Sequence, residues 1–232
     1  METGSEMKVT YVLPKYDESA GEHFVHIYRL LGELGKSVKL SVLIEKCKGE
    51  PKFPNVRDVQ VIQSSFTPLR LMETFYKFLL MRMRGTKVFY VHYSFFGAIA
   101  ASSITRVFGG KVFYWNCGLP HLFFKSFGEK GWFGSKVNDD WPLRVSLRMV
   151  HFLVTGSKRM KEYYHAQFNV PKDKIVVLPN EIDLDRFVPK RPNNKVPKVF
   201  FVHRMSERKG AHYLVPIAEQ VLKRVDAEFI IA

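Results

Sequence analysis

Arg204, Arg208 and Lys209 crowd one short stretch between the apolar run Phe200-Phe201-Val202 and Gly210. Cations so placed can hold an anion. In an open α/β sheet, anionic ligands bind at the loop that leaves the carboxyl end of a parallel strand and opens a helix. The run before the loop is β-rich and the stretch from Gly210 is helix-like, so the spacing predicts strand, basic loop, helix. A second stretch, His121 to Phe133, sets Phe123, Phe124, Phe127, Trp132 and Phe133 with Lys125 and Lys130 in a Gly-punctuated loop. A loop that apolar is unusual on a water-facing surface. A third, Phe66 to Arg84, puts Leu69, Leu71, Phe75, Phe78 and Leu79 beside Arg70, Lys77, Arg82 and Arg84. That composition suits a membrane-interface segment, and equally a helix packed on a sheet.

The formal net charge of +14 attracts polyanions: nucleic acid, anionic lipid or nucleotide phosphates. Charge alone does not choose among them. The chain carries no zinc-finger spacing, KH-type GXXG loop or aromatic RNP strand motif, so nothing beyond charge supports nucleic acid. An apolar fraction of 46% suits a folded core rather than disorder. Cys47 and Cys117 stand far apart without ligand-like spacing, as free thiols of a reducing compartment do. The start, Met1 to Met7, is polar and lacks the apolar centre of a signal peptide. No stretch reaches the ~18 uninterrupted apolar residues of a membrane-spanning helix. These readings predict a cytoplasmic protein, with the inner face of the cell membrane as a peripheral location.

Strands and helices alternate along the chain. Val9 to Pro14, Val38 to Ile44, Val59 to Ile62, Val88 to His92, Lys111 to Trp115, Phe152 to Gly156 and Ile175 to Leu178 read as strands. Gly21 to Gly35, Leu69 to Arg84, Ala98 to Val107, Leu143 to Met149 and Lys158 to Phe168 read as helices, with Gly35 placed to stop the first. Repeated β–α alternation predicts a parallel sheet covered by helices. Residues 190–198 have a linker composition, so the expected domains are 1–189 and 199–232. The second begins a βαβ unit that closes on the strand Ala227 to Ala232.

Three stretches carry a resemblance. Lys174-Ile175-Val176-Val177-Leu178-Pro179-Asn180-Glu181-Ile182-Asp183-Leu184-Asp185-Arg186-Phe187 resembles the pattern KI-x-V-I-PNG-V-D-x-x-x-F. Val154-Thr155-Gly156-Ser157-Lys158-Arg159-Met160 resembles a V-x-x-S-x-x-M strand–turn–helix, and Phe201-Val202-His203-Arg204 through Glu207-Arg208-Lys209-Gly210 resembles F-V-G-R-(x)n-E-K-G. In this order and spacing they are similar to the GT-B glycosyltransferases of family 4 type. The chain departs from the pattern at His203 and Glu181, where the family has Gly. Ser19-Ala20-Gly21-Glu22 stands where the family has Gly-Gly-x-Glu.

The resemblance implies an α/β fold: a GT-B Rossmann-like parallel sheet with helices on both faces, followed by an incomplete second Rossmann-like domain. It implies a hexosyltransferase that moves a sugar, with retention, from a nucleotide-sugar donor to a lipid-linked or polysaccharide acceptor of the cell envelope. Arg204 and Lys209 would bind the donor diphosphate, and Ser19, Ala20 and Gly21 would turn backbone N–H groups toward it. The family's catalytic histidine falls near Asn116, with His121 close enough to substitute. Phe123, Phe124, Trp132 and Phe133 would touch the membrane or the acceptor. No metal and no cofactor are expected, since cations stabilise the departing diphosphate. An E-x7-E element that contacts the donor would lie downstream of Ala232, so these residues alone are expected to be inactive. The alternatives are a GT-B nucleotide-sugar epimerase and a non-catalytic basic α/β binding module.

Overall fold

Apolar runs without polar alternation form strands that are covered on both faces. β1 (Lys8–Leu13) is of this kind: every residue after Lys8 is buried. Val9, Tyr11 and Leu13 point to one side of the sheet, and Thr10 and Val12 to the other. The computed structural model describes residues 7–19, 25–117, 141–180, 188, 196–203, 205 and 207–232. It divides into two units, Met1–Glu181 and Ile182–Ala232.

In the first unit β1 is followed by β2 (Tyr16–Asp17), α1 (Val25–Ser37), β3 (Lys39–Ile44), β4 (Cys47–Lys48) and β5 (Asp58–Val61). Then come α2 (Thr67–Met83), β6 (Val88–His92), α3 (Phe95–Phe108), β7 (Lys111–Trp115), α4 (Trp141–Met149), β8 (Phe152–Thr155), α5 (Lys158–Phe168) and β9 (Ile175–Val177). Seven strands form one parallel sheet in the order β5-β3-β1-β6-β7-β8-β9, and β2 and β4 pair separately. The strand order reverses between β1 and β6. At such a switch point the flanking loops part and leave a crevice beyond the carboxyl ends.

Helices cover both faces. Ile27 and Leu31 of α1 pack on Val9, Tyr11, Leu13, Leu40 and Val42. The opposite face holds Phe78 and Met81 of α2, Ala98, Ala100 and Ala101 of α3, Leu143 and Leu147 of α4, and Tyr164 of α5. The small residues of α3 let its backbone lie close to the sheet. Two serines begin their helices: Ser94 Oγ accepts from Gly97 N (2.9 Å) and Ser157 Oγ from Met160 N (3.2 Å).

Gly35 does not stop the first helix, contrary to expectation. α1 runs on to Ser37, and a Cβ at Gly35 would collide with the backbone carbonyl of Asn55. The glycine is there for close approach of the 50–57 loop. Several cations answer helix carbonyls at carboxyl ends. Lys8 Nζ donates to Arg84 O (2.8 Å), Arg82 to Gly109 O (2.7 Å) and Phe108 O (2.5 Å), and Lys174 Nζ to Leu147 O (2.7 Å).

The second unit is a parallel βαβ piece: β10 (Lys198–Phe201), α6 (Leu214–Leu222) and β11 (Glu228–Ile231). None of its described residues is buried.

Candidate functional site

In the first unit the crevice beside β1 and β6 is a cleft of about 210 Å³. Tyr11, Tyr90, His92, Tyr93, Trp115 and Cys117 line it from the sheet, His26, Ile27 and Leu30 from α1, and Leu178, Pro179 and Asn180 from the loop after β9. Tyr11 stacks on Tyr90, ring centroids 5.1 Å apart, and its hydroxyl meets His92 Nδ1 at 2.6 Å. Burial, with the neighbouring His26 charge second, lowers the His92 pKa to about 4. The imidazole is therefore neutral at neutral pH, one ring nitrogen a donor and the other an acceptor.

Tyr93 follows with φ +57°, a left-handed backbone that a bulky residue seldom adopts. The surroundings hold it there: Tyr93 N donates to Trp115 O (3.0 Å), and its hydroxyl lies 2.5 Å from Cys117 Sγ. Burial first, and the Cys117 contact second, push its phenol pKa up. Such a strained position clusters at functional sites. Behind it Ser94 caps α3 and donates from Oγ to the Glu45 carboxyl. Burial raises the pKa of that carboxyl.

Asn116 lies at the carboxyl end of β7, 1% exposed, with its side chain committed to packing. Its Nδ2 donates to Tyr114 Oη (2.8 Å), and its Oδ1 accepts from Tyr164 Oη (2.9 Å). It braces the sheet against α5 under the cleft rather than facing into it. Ser19 gives both its backbone N–H (3.1 Å) and its hydroxyl (2.8 Å) to Asp17 Oδ1, so the carboxylate already takes the N–H expected to meet a phosphate. Hydrogen bonds from Ser19 and Lys15 hold Asp17 at a pKa of about 2. Ala20, Gly21, His121, Phe123, Phe124, Trp132, Phe133 and Arg204 lie outside the described residues.

In the second unit the basic stretch does leave the carboxyl end of a parallel strand, β10. Lys209 closes a short 3-10 turn, Glu207–Lys209, and Gly210 follows at φ +77° before α6 begins at Leu214. A glycine suits that left-handed turn. Among the described residues no group of three or more His, Cys, Asp or Glu side chains could hold a metal ion. Among them also, no helix is long and apolar enough to cross a membrane.

His92 and Tyr93 are absent from the expected site residues. Their signal was modest: a predicted strand that ends on histidine. Only the strand order shows that this strand borders the switch point. Asn180, by contrast, belongs to the Leu178-Pro179-Asn180 stretch of the resemblance, and the fold brings it to the same cleft.

The model of Glycosyltransferase Family 4 matches residues 24–186, more than two thirds of the chain. The chain belongs to Glycosyltransferase Family 4. Solved structures agree in fold. A glycosyltransferase from Rickettsia africae superposes with a TM-score of 0.64 at 15% identity, over 98% of this chain and 60% of that one. The lipopolysaccharide outer core galactosyltransferase WaaB, in its apo form, gives 0.60 at 13%, over 97% and 60%. Anabaena HepE in complex with UDP gives 0.56 at 12%, over 97% and 69%. The UDP-GlcNAc 2-epimerase of Methanocaldococcus jannaschii gives 0.51 at 12%, over 97% and 65%. The chain thus spans about 60% of the length of the first structures it matches. No curated protein matches it. The sheet is the Rossmann-like α/β sheet of the GT-B glycosyltransferases.

Proposed function

We propose that this family member moves a hexose, with retention, from a nucleotide-sugar donor to a lipid-linked or polysaccharide acceptor, at the cytoplasmic face of the cell membrane. One observation carries the reading: in a Family 4 chain, a basic loop leaves the carboxyl end of parallel strand β10 and turns through Gly210 into a helix. Loss of the nucleotide diphosphate builds negative charge on phosphate oxygens. Arg204 and Lys209 supply positive charge where it develops, and need no metal to do so. The HepE structure holds UDP, which supports a uridine nucleotide as the donor carrier.

The acceptor falls to the first unit. Tyr11, Tyr90 and Trp115 offer aromatic faces to the C–H face of a sugar ring, and neutral His92 offers a hydrogen bond to a hydroxyl. Phe123, Phe124, Trp132 and Phe133 are the proposed contacts to the acceptor or the membrane.

Nucleotide-sugar turnover by the purified protein tests the reading. Arg204→Ala or Lys209→Ala should lower kcat by roughly 10²–10³-fold, as loss of one donor to transition-state charge does. Arg208→Ala should change it little. Near-wild-type kcat in both of the first two variants removes the assigned role. The epimerase neighbours support a second reading, in which UDP-GlcNAc is interconverted at C2 without an acceptor. The family match and the higher TM-scores of the transferases favour transfer.

A further inference from the structure

We propose that the Tyr93 ring is the platform on which the acceptor stacks, and that the unit stacked there is a pyranose ring. β6 ends at His92, and Tyr93 N donates to Trp115 O (3.0 Å) on the neighbouring strand. Ser94 N then turns back to His92 O (2.8 Å). A bond from one residue to the second before it closes a γ-turn, and φ +57° gives Tyr93 the rare, strained form of that turn. The turn leads directly into α3, which Ser94 caps. Turning the chain here requires no side chain. Glycine would take the left-handed backbone freely, whereas a tyrosine takes it only where its surroundings over-determine it. The hydroxyl helps to do so, held 2.5 Å from Cys117 Sγ just past β7. What the strain preserves is a ring at this point of the fold.

That ring is placed to be used. Tyr93 lines the cleft and remains 39% exposed, whereas Tyr11 and Trp115 beside it are 3% and 6% exposed. His92 lies against it, ring centroids 4.8 Å apart, so the accessible surface of Tyr93 is on the side turned to the cleft. Leu30 of α1 and Leu178 line the same space, and His92 and Asn180 add hydrogen-bonding groups. A pyranose matches such a lining. Its C–H faces are apolar and meet aromatic rings, while its hydroxyls project around the edge toward polar groups. A volume of about 210 Å³ suits one ring. This role for Tyr93 rests on the acceptor assignment made above, and adds to it the residue that orients the acceptor and the class of ring it orients.

Saturation-transfer NMR on the purified protein, with no donor present, tests this with methyl β-D-glucopyranoside, methyl β-D-galactopyranoside and, as an open-chain polyol, sorbitol. At least one glycoside should bind, with saturation strongest on the protons of one ring face, and sorbitol should not. Tyr93→Asn removes the ring and keeps the turn, because asparagine tolerates the left-handed backbone. It should weaken glycoside binding by about five- to tenfold, the range of an aromatic contact, while Tyr93→Phe keeps the ring and should stay within about twofold of the parent. Thermal melts report whether each variant is folded. Should Tyr93→Asn not fold, nuclear Overhauser contacts between the bound glycoside and the Tyr93 ring of the parent decide, and their absence overturns the proposal. Parent-like binding by a folded Tyr93→Asn overturns it, as does a loss in Tyr93→Phe as large as that in Tyr93→Asn. So does binding of neither glycoside. Where transfer is measured, Tyr93→Asn should raise the acceptor KM by about the same factor and leave the nucleotide-sugar KM unchanged. Tyr93-dependent glycoside binding without any transfer would leave the platform standing and count against the transfer reading. Transfer with an unchanged acceptor KM in Tyr93→Asn would do the reverse.

Discussion

His92 owes its neutral state to burial, and burial makes it acid-sensitive. Its ordinary pKa is near 6.5 and its folded value about 4, so below pH 6.5 the unfolded chain binds a proton that the folded chain refuses. Stability is unaffected above that window and falls as pH drops through it. At about 1.4 kcal/mol per unit, the full loss is on the order of 3 kcal/mol by pH 4. His151 shifts in the same direction and adds to the trend. Urea unfolding at neutral and at acid pH should show a smaller acid loss in His92→Gln than in the wild type. Equal losses would mean that His92 is not the buried base. Imidazole NMR gives an independent check, since the His92 resonances should not titrate between pH 7 and 5.5. Asn116 illustrates the opposite case. Its amide is spent on Tyr114 and Tyr164, so Asn116→Ala should cost stability by taking one hydrogen bond from each of two buried hydroxyls, about 0.5–1.5 kcal/mol each.

At the scale of elements, two serines occupy the same cap position with unequal burdens. Ser157 caps α5 at a surface site, and its replacement by Ala should cost about 1 kcal/mol. Ser94 caps α3 and also donates to the half-buried Glu45 carboxyl, so Ser94→Ala takes a hydrogen bond from that carboxyl as well. One net hydrogen bond is worth about 0.5–1.5 kcal/mol, and Ser94→Ala should be the more costly of the two by about that much. Thermal melts of the two variants decide it. Equal costs would mean that Glu45 does not depend on Ser94. In a Glu45→Ala background the gap between them should close, because only the two caps then remain to be lost.

The two units differ most in burial. The first closes two layers of side chains around its sheet, whereas β10, α6 and β11 present Val199, Phe200, Val215, Ile217 and Leu222 to solvent. Two strands and one helix do not stabilise themselves well. Native-state hydrogen exchange should therefore protect the amides of β1, β6 and β7 far longer than those of β10 and β11. Uniform protection across both units would contradict this.

Local chemistry made much of the sheet legible in advance. Apolar runs bounded by turns marked the inner strands, because a strand covered on both faces has little room for a polar side chain, whereas the edge strand β5 alternates polar and apolar residues. The strand–turn–helix from Val154 to Met160 was legible too, because the Ser157 cap that starts its helix is a matter of neighbouring residues. The motif around Pro179 and Asn180, like the basic stretch at Lys209, needed only the order of residues along the chain. Strand order is different. It follows from which buried faces fit together over long sequence distances, and it alone brings His92, Tyr11 and Asn180 to one cleft. The same limit explains Gly35, whose neighbour Asn55 is remote along the chain and close only in space. It explains the charge as well. A sum of +14 invites a polyanion, but only the packed helices show that Lys8, Arg82 and Lys174 each answer carbonyls at the carboxyl end of a helix they do not belong to.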